Sequence, residues 1–231
     1  MPAVPETTES ELEERLSAFL TEFLGSWPPR APFEVTSSRF RALPGWDDRL
    51  RPFVGVASPA GTVVSVADEL LDAARRLAAQ GEQAFAAGIG ALLGERGATL
   101  HRGVFRAAKR LVGLGEPGEW LAPVDPRLPE WLTAFSGEVL VAFDADGRYA
   151  AGVGLKDHHR LGREIAVGTE PEHRGRGLAR ALVAQASRAI YEQGAVATYL
   201  HAPDNAASAA VAEAAGFPDL GWQILGVGNR R

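Results

Sequence analysis

Residues 138–194 constrain the fold more than any other stretch of this chain. Glu138 to Phe143 and Tyr149 to Lys156 are apolar or alternating runs around Asp144-Ala145-Asp146-Gly147, which is hairpin turn chemistry. Glu164 to Thr169 reads as a third strand. A glycine- and arginine-rich turn follows, and then a long helical pattern from Leu178 to Gln193 that Gly194 stops. Thr198 to His201 is a further short strand, and Asn205 to Ala215 a second helix ended by Gly216. Trp222 to Leu225 reads as a last strand. Strands and helices in this alternation call for an α/β fold built on a mixed sheet.

The first half of the chain is α/β as well, with less distinctive punctuation. Thr8 to Leu24 is a helix: Thr8 and Glu11 form a capping box, and Leu12, Leu16, Phe19 and Phe23 share one face. Gly25 and Trp27-Pro28-Pro29 end it. Phe33 to Phe40 reads as a strand, and Phe53 to Val56 with Thr62 to Val66 as a hairpin turned by Ser58-Pro59-Ala60-Gly61. Asp68 to Gln80 and Gln83 to Leu93 are helical patterns, and Val104 to Val112 is a further helical candidate. The proline- and glycine-rich stretch from Glu116 to Pro129 is the expected boundary between an N-terminal region, 1–125, and a C-terminal domain, 126–231.

Composition narrows the chemistry by exclusion. The chain has no cysteine, so disulfides, thiolate metal sites and cysteine nucleophiles are ruled out. A net charge of −5 argues against wholesale binding of nucleic acid. No run approaches the roughly 20 apolar residues of a membrane span. The first residues, MPAVPETTESELEERL, lack the basic-then-apolar order of a signal peptide, so the expectation is a cytoplasmic protein. No spacing of the H-E-x-x-H kind supports a metal, and Asp157-His158-His159 reads as an exposed turn.

The turn before the long helix, PEHRGRGLARAL from Pro171 to Leu182, carries the functional signal. The first N–H groups of a helix lack intrahelical partners, and the helix dipole is positive there. Gly175 and Gly177 let an anion approach the backbone, and Arg174, Arg176 and Arg180 add charge nearby. The inference is a phosphate or pyrophosphate site. The glycines do not spell G-x-G-x-x-G and no G-K-[ST] is present, so dinucleotide and nucleoside-triphosphate loops fit poorly.

The segment resembles the acyl-CoA loop of the GNAT superfamily of N-acyltransferases. That signature, Gln/Arg-x-x-Gly-x-Gly/Ala, is matched by Arg174-Gly175-Arg176-Gly177-Leu178-Ala179. Val167-Gly168-Thr169 ahead of it looks like the family's fourth strand running into the loop. Asn205, Ser208 and Gly216-Phe217 resemble its second motif. The resemblance covers roughly Pro129 to Gly226 and implies a GNAT-like fold, a mixed central sheet with flanking helices, preceded by an N-terminal α/β half. By the resemblance, Glu164–Thr169 and Thr198–His201 are parallel neighbours that splay apart. Backbone groups of Val167, Gly168 and Thr169 would then hold the pantetheine arm, and amides of Arg174, Gly175, Arg176, Gly177, Leu178 and Ala179 the pyrophosphate. Asn205 would help to hold the cofactor.

The implied reaction is direct transfer of an acyl group, most simply acetyl from acetyl-CoA, to an amine. Such an amine has a pKa of about 10 and must lose a proton before attack, while the leaving thiolate must be stabilised. Glu164 is the candidate base, set against a structural ion-pair role, and His201 a second. The family's tyrosine, seven residues beyond the asparagine, is Ala212 here. Ser208, water or another group must then assist the thiolate, with Tyr199 and Tyr191 as further hydroxyls. The acceptor is an unidentified amine, neither nucleic acid nor membrane is expected as a partner, and a homodimer is left open. A non-catalytic acyl-CoA-binding regulatory module and a simple anion-binding protein are the rival readings.

Overall fold

Tyr149–His159 and Gly162–Thr169 are long apolar runs that leave their hairpin partnered on both edges, and the fold of the C-terminal half grows outward from them. The computed structural model describes residues 8–95 and 97–228. These divide into two units, one made of the described residues up to Leu16 with Arg106–Asp219, the other of Ser17–Phe105 with the chain from Leu220 on. The division falls within the first helix, α1 (Glu9–Leu24), whose start Thr8 caps by accepting from the Glu11 N–H at 3.2 Å. Residues 1–7, part of the stretch read as lacking a signal peptide, lie outside the described residues.

The second unit contains β1 (Phe33–Ser37), β2 (Phe53–Ser58), β3 (Gly61–Val66), α2 (Leu71–Ala78), α3 (Glu82–Leu92), β4 (Thr99–Ala107, to Phe105 in this unit) and the chain's last strand. Phe53, Val64, Val66, Phe85, Ile89 and Leu225 make its core, with α2 and α3 supplying the helical side. β1 is parallel to β3, and β2 is antiparallel to β3. Two expectations change here. The first strand stops at Ser37, because Ser38 caps a 3₁₀ turn at Arg39–Arg41 with its hydroxyl. The helical candidate Val104–Val112 is overturned: Thr99–Ala107 is a strand. Its period was compatible with a helix, but antiparallel pairing with the last strand, from Thr99↔Gly228 to Val104↔Gln223, decides the conformation.

The first unit holds β5 (Glu119–Leu121), α4 (Glu130–Thr133), β6 (Val139–Phe143), β7 (Tyr149–His159), β8 (Gly162–Thr169), α5 (Leu178–Glu192), β9 (Val196–His201) and α6 (Ala206–Ala214). With β10 (Gln223–Gly228) as that last strand, the elements are complete. The strand order β9-β8-β7-β6-β5 makes a mixed sheet, parallel between β8 and β9 and antiparallel elsewhere. One face is covered by α5 and α6, whose Leu182, Val183, Ala186, Ile190 and Ala212 pack with Leu140, Val153, Ile165 and Tyr199 of the strands. The architecture is therefore α/β with a central mixed sheet and flanking helices.

The other face of β7 and β8 is planed flat by glycine. Gly152 lies opposite Gly168, and Gly154 opposite Ala166. A Cβ on Gly152 would stand 2.7 Å from Leu132, on Gly154 2.4 Å from the Phe135 ring, and on Gly168 2.9 Å from Trp131. The aromatic segment at α4 thus rests on bare backbone, a contact no other residue type permits. Gly154→Ala is predicted to lower stability by about 1–3 kcal/mol through overpacking against Phe135. Thermal unfolding checks this, and an unchanged midpoint would mean that Phe135 does not sit against the strand.

Candidate functional site

β8 and β9 run side by side only from Gly162↔Val196 to Ile165↔Tyr199. Beyond that point β8 keeps its pairing with β7 on one edge, from Gly154↔Ala166 to Ala151↔Thr169. Its other edge opens into a cavity of about 690 Å³. Val167, Gly168 and Thr169 line this cavity from the strand, and Tyr199 lines it from β9. A strand edge carries backbone donors and acceptors that need partners, so this opening is a template for an extended polar chain.

The far wall is the turn into α5. After a short 3₁₀ turn at Pro171–His173, Gly175 (φ +75°) and Gly177 (φ +82°) both take left-handed backbone. That conformation strongly favours glycine, and around Gly175 nothing lies within 4 Å of where a Cβ would stand. Gly177 is the N-cap of α5 with no side-chain cap, and the first α-helical bond is Ala181 N–H to Gly177 O at 3.2 Å. The N–H groups of Leu178, Ala179 and Arg180 precede that bond and have no α-helical partner, and no acidic side chain stands in the first turn of the helix. Each such dipole contact is worth about 0.3–1 kcal/mol when exposed, so an anion is held by several together.

Arg174, Gly175, Gly177, Leu178 and Ala179 line the same cavity. Arg174 folds back, its Nε donating to the Thr169 carbonyl at 3.3 Å. Arg176 departs from the group. It lines a second recess of about 430 Å³ formed with Leu114–Pro117, next to Gly177, Leu178 and Arg180, while its guanidinium comes within 3.5 Å of His173 Nδ1.

α6 closes the remaining side. Asn205 caps it, its side-chain oxygen accepting from the Ser208 N–H at 3.0 Å, which leaves the amide NH2 as the group a ligand can meet. The Ser208 hydroxyl and the Tyr199 hydroxyl are 2.8 Å apart, and both residues line the cavity. Tyr199 is 2% exposed, and burial raises its phenol pKa above the ordinary 10.0.

Glu164 and His201 are not among the lining residues. Glu164 is buried, and its two oxygens are taken by Lys156 Nζ at 2.5 Å and His158 Nε2 at 3.2 Å. Burial alone would raise its pKa, but the His158 hydrogen bond and the Lys156 charge outweigh it and hold the carboxyl below 4.5. His201 uses both ring nitrogens: Nε2 accepts from Arg106 Nε at 3.0 Å, and Nδ1 contacts the Ala202 carbonyl at 2.8 Å. Asp157, His158 and His159 belong to strand β7 rather than to an exposed turn. Among the described residues no group of three or more His, Cys, Asp or Glu is placed to hold a metal, and no helix is long and apolar enough to cross a membrane.

Two charged or ionisable lining residues of the turn and helix start, His173 and Arg180, lie outside the motif. His173, 8% exposed, sits in the loop with Nε2 3.6 Å from Asp144 of the β6–β7 turn. Arg180 faces the cavity from the first turn of α5. Its position three residues after Gly177 carried a signal, whereas the contact of His173 depends on a turn 29 residues upstream.

Comparison with known proteins finds likeness at the level of family and fold. Residues 105–217 match the model of the "Acetyltransferase (GNAT) family". An acetyltransferase from the GNAT family of Colwellia psychrerythraea superposes with a TM-score of 0.51 at 14% identity, covering 97% of this chain and 98% of that one. A GCN5-related N-acetyltransferase-like protein from Streptococcus suis 89/1591 gives 0.46 at 16% identity, over 94% and 100% of the two chains. The first of these likenesses concerns the fold. No curated protein matches the sequence.

The buried carboxylate beside the cleft has a pH signature. The folded-state pKa of Glu164 is depressed, so its contribution to stability is present above the unfolded value of 4.5 and is lost as pH falls through the folded one. Glu164→Gln is predicted to cost about 1.5–3 kcal/mol at pH 7, with the deficit shrinking below pH 4.5 as the native carboxyl protonates. Denaturant unfolding of both proteins at pH 7 and pH 3 measures it; equal deficits at the two pH values would refute the ion-pair account.

Proposed function

We infer, from the match of residues 105–217 to the GNAT acetyltransferase family model, that this protein moves an acetyl group from acetyl-CoA to a primary amine. The observation that carries the reading is the open edge of β8, which runs through one cavity to the glycine turn and the uncapped start of α5. A pyrophosphate fits there, because Gly175 leaves the backbone bare and the helix start supplies unpartnered N–H groups. Backbone groups of Val167 to Thr169 would pair with the amides of the pantetheine arm. Those of Arg174 to Ala179 would face the pyrophosphate, with the Asn205 NH2 on the opposite wall.

Bound thus, acetyl-CoA supplies an activated thioester, and the protein's part is to hold it beside the amine and stabilise the charge that develops on sulfur. No carboxylate lines the cavity. We therefore assign Glu164 to the ion pair with Lys156 and His158, and His201 to the Arg106 network, with the amine's proton passing to solvent. The lack of a carboxylate is also what a non-catalytic acyl-CoA-binding module would show, and turnover separates the two. A cytoplasmic setting accompanies both readings, in keeping with a chain free of cysteine.

Two measurements test this. Incubation with acetyl-CoA and a panel of primary amines should release free CoA, read with a thiol-reactive dye to which this cysteine-free chain adds no background. Binding without release across the panel would favour the non-catalytic module. Separately, Gly175→Asp should weaken CoA binding at least about tenfold relative to Gly175→Asn in calorimetry. Both side chains tolerate the +75° φ, and only one puts a negative charge against the phosphate. Equal affinities would remove the pyrophosphate from this turn.

A further inference from the structure

The groups on the cavity wall that can donate a hydrogen bond divide by place. His173, Arg174 and Arg180 cluster at the turn and helix start where the anion is held, Thr169 carries its hydroxyl at the end of β8, and the Asn205 NH2 stands at the start of α6. The hydroxyls of Tyr199 and Ser208 form a hydrogen-bonded pair of their own. Tyr199 is the last β9 residue paired with β8, so it stands at the fork where the open edge begins. Its ring is fixed on the helix-covered face by Phe217, centroids 6.0 Å apart, and its hydroxyl meets Ser208 Oγ at 2.8 Å. Ala212, one turn beyond Ser208 on the same face of α6, is fully buried in the same cluster as the tyrosine ring.

We propose that the Tyr199 hydroxyl, oriented by Ser208, donates the hydrogen bond that stabilises the thioester sulfur as it leaves. This rests on the acetyltransferase reading and adds to it the group that acts on the leaving atom. In the step, the amine nitrogen forms a bond to the thioester carbon and the carbon–sulfur pair moves onto sulfur. The Tyr199 O–H, its oxygen hydrogen-bonded to Ser208, holds the thiolate by a hydrogen bond until solvent gives the sulfur a proton. Solvent receives in exchange the proton that the nitrogen sheds, so charge and protons balance. Burial keeps the phenol protonated well above neutral pH, which suits it to donation.

The test uses CoA and desulfo-CoA as paired probes, so that no acceptor is needed. At pH 9 most of the CoA thiol is ionised, given an ordinary thiol pKa of about 8.5. Wild-type protein should bind CoA about tenfold more tightly than desulfo-CoA, the range expected for a hydrogen bond to a charged group. Tyr199→Phe, which keeps the ring, should lose that preference while its affinity for desulfo-CoA stays within about twofold. Ser208→Ala should lose part of it and carries the test alone if the phenylalanine variant does not fold. A preference undiminished in these variants overturns the proposal and leaves the acetyl-CoA reading standing. Failure of the wild-type protein to bind either probe overturns both.

Discussion

The site depends on one interruption: parallel pairing that stops after Ile165 and Tyr199. A β-strand inside a sheet has both edges satisfied, and leaving one open costs free energy unless water or a ligand pairs with it. Here β7 holds β8 in register up to Thr169, so the strand cannot relax to close the gap. Because the strand is rigid, its free groups are pre-aligned for an extended chain bearing amides. The same strand then delivers the chain to Pro171 and the glycine turn, so one edge and one helix start face one cavity. Donor recognition in this reading is made largely of backbone. Among the arginines around it, Arg174 and Arg180 line the cavity and Arg176 lines a separate recess.

Charged side chains do their work behind the cavity. Arg106 is 4% exposed and reaches His201, the Phe217 carbonyl, Glu213 and Asp219, tying the end of β9 to the C-terminal end of α6. A guanidinium has five N–H donors in a fixed plane, so it can hold several elements at once, and removing it would leave buried acceptors unpaired. Its consequence for function is indirect but concrete. α6 carries Asn205 and Ser208 at its other end, and a helix anchored at one end presents the other at a set distance from β8. The Lys156–Glu164–His158 cluster serves β7 and β8 in the same way.

What was legible in the sequence was local. The hairpin about Asp144–Gly147, the strand into the turn, and the helix from Leu178 stand where period and punctuation place them, because each is decided by residues within a few positions. Thr99–Ala107 was not legible as a strand: its partner β10 lies more than 115 residues on. The roles of Glu164 and His201 turn on partners too. The Arg106 contact, 95 residues distant from His201, leaves no trace in sequence. Lys156 was hidden by an irregularity: counting back from His159↔Gly162 would set it opposite Ile165, and the register shift between Asp157 and His159 moves it by one to face Glu164. The cross-strand ion pair therefore depends on a bulge that the alternation of the two strands does not announce.

Ala212 and Tyr199 show how a missing side chain is better judged in three dimensions than along a motif. On α6 alone, alanine at 212 reads as the loss of a hydroxyl. In the folded unit the position faces a core cluster that already contains a phenol, supplied by the neighbouring strand and hydrogen-bonded to the same helix. A tyrosine at both places would overfill a region where Ala212, Phe217 and Leu182 have no exposed surface, and overpacking of that kind costs about 1–3 kcal/mol. Volume therefore makes the two positions alternatives. The chemistry asks only that one O–H reach the fork between β8 and β9, and under the proposal above the tyrosine of the strand supplies it in place of one on the helix.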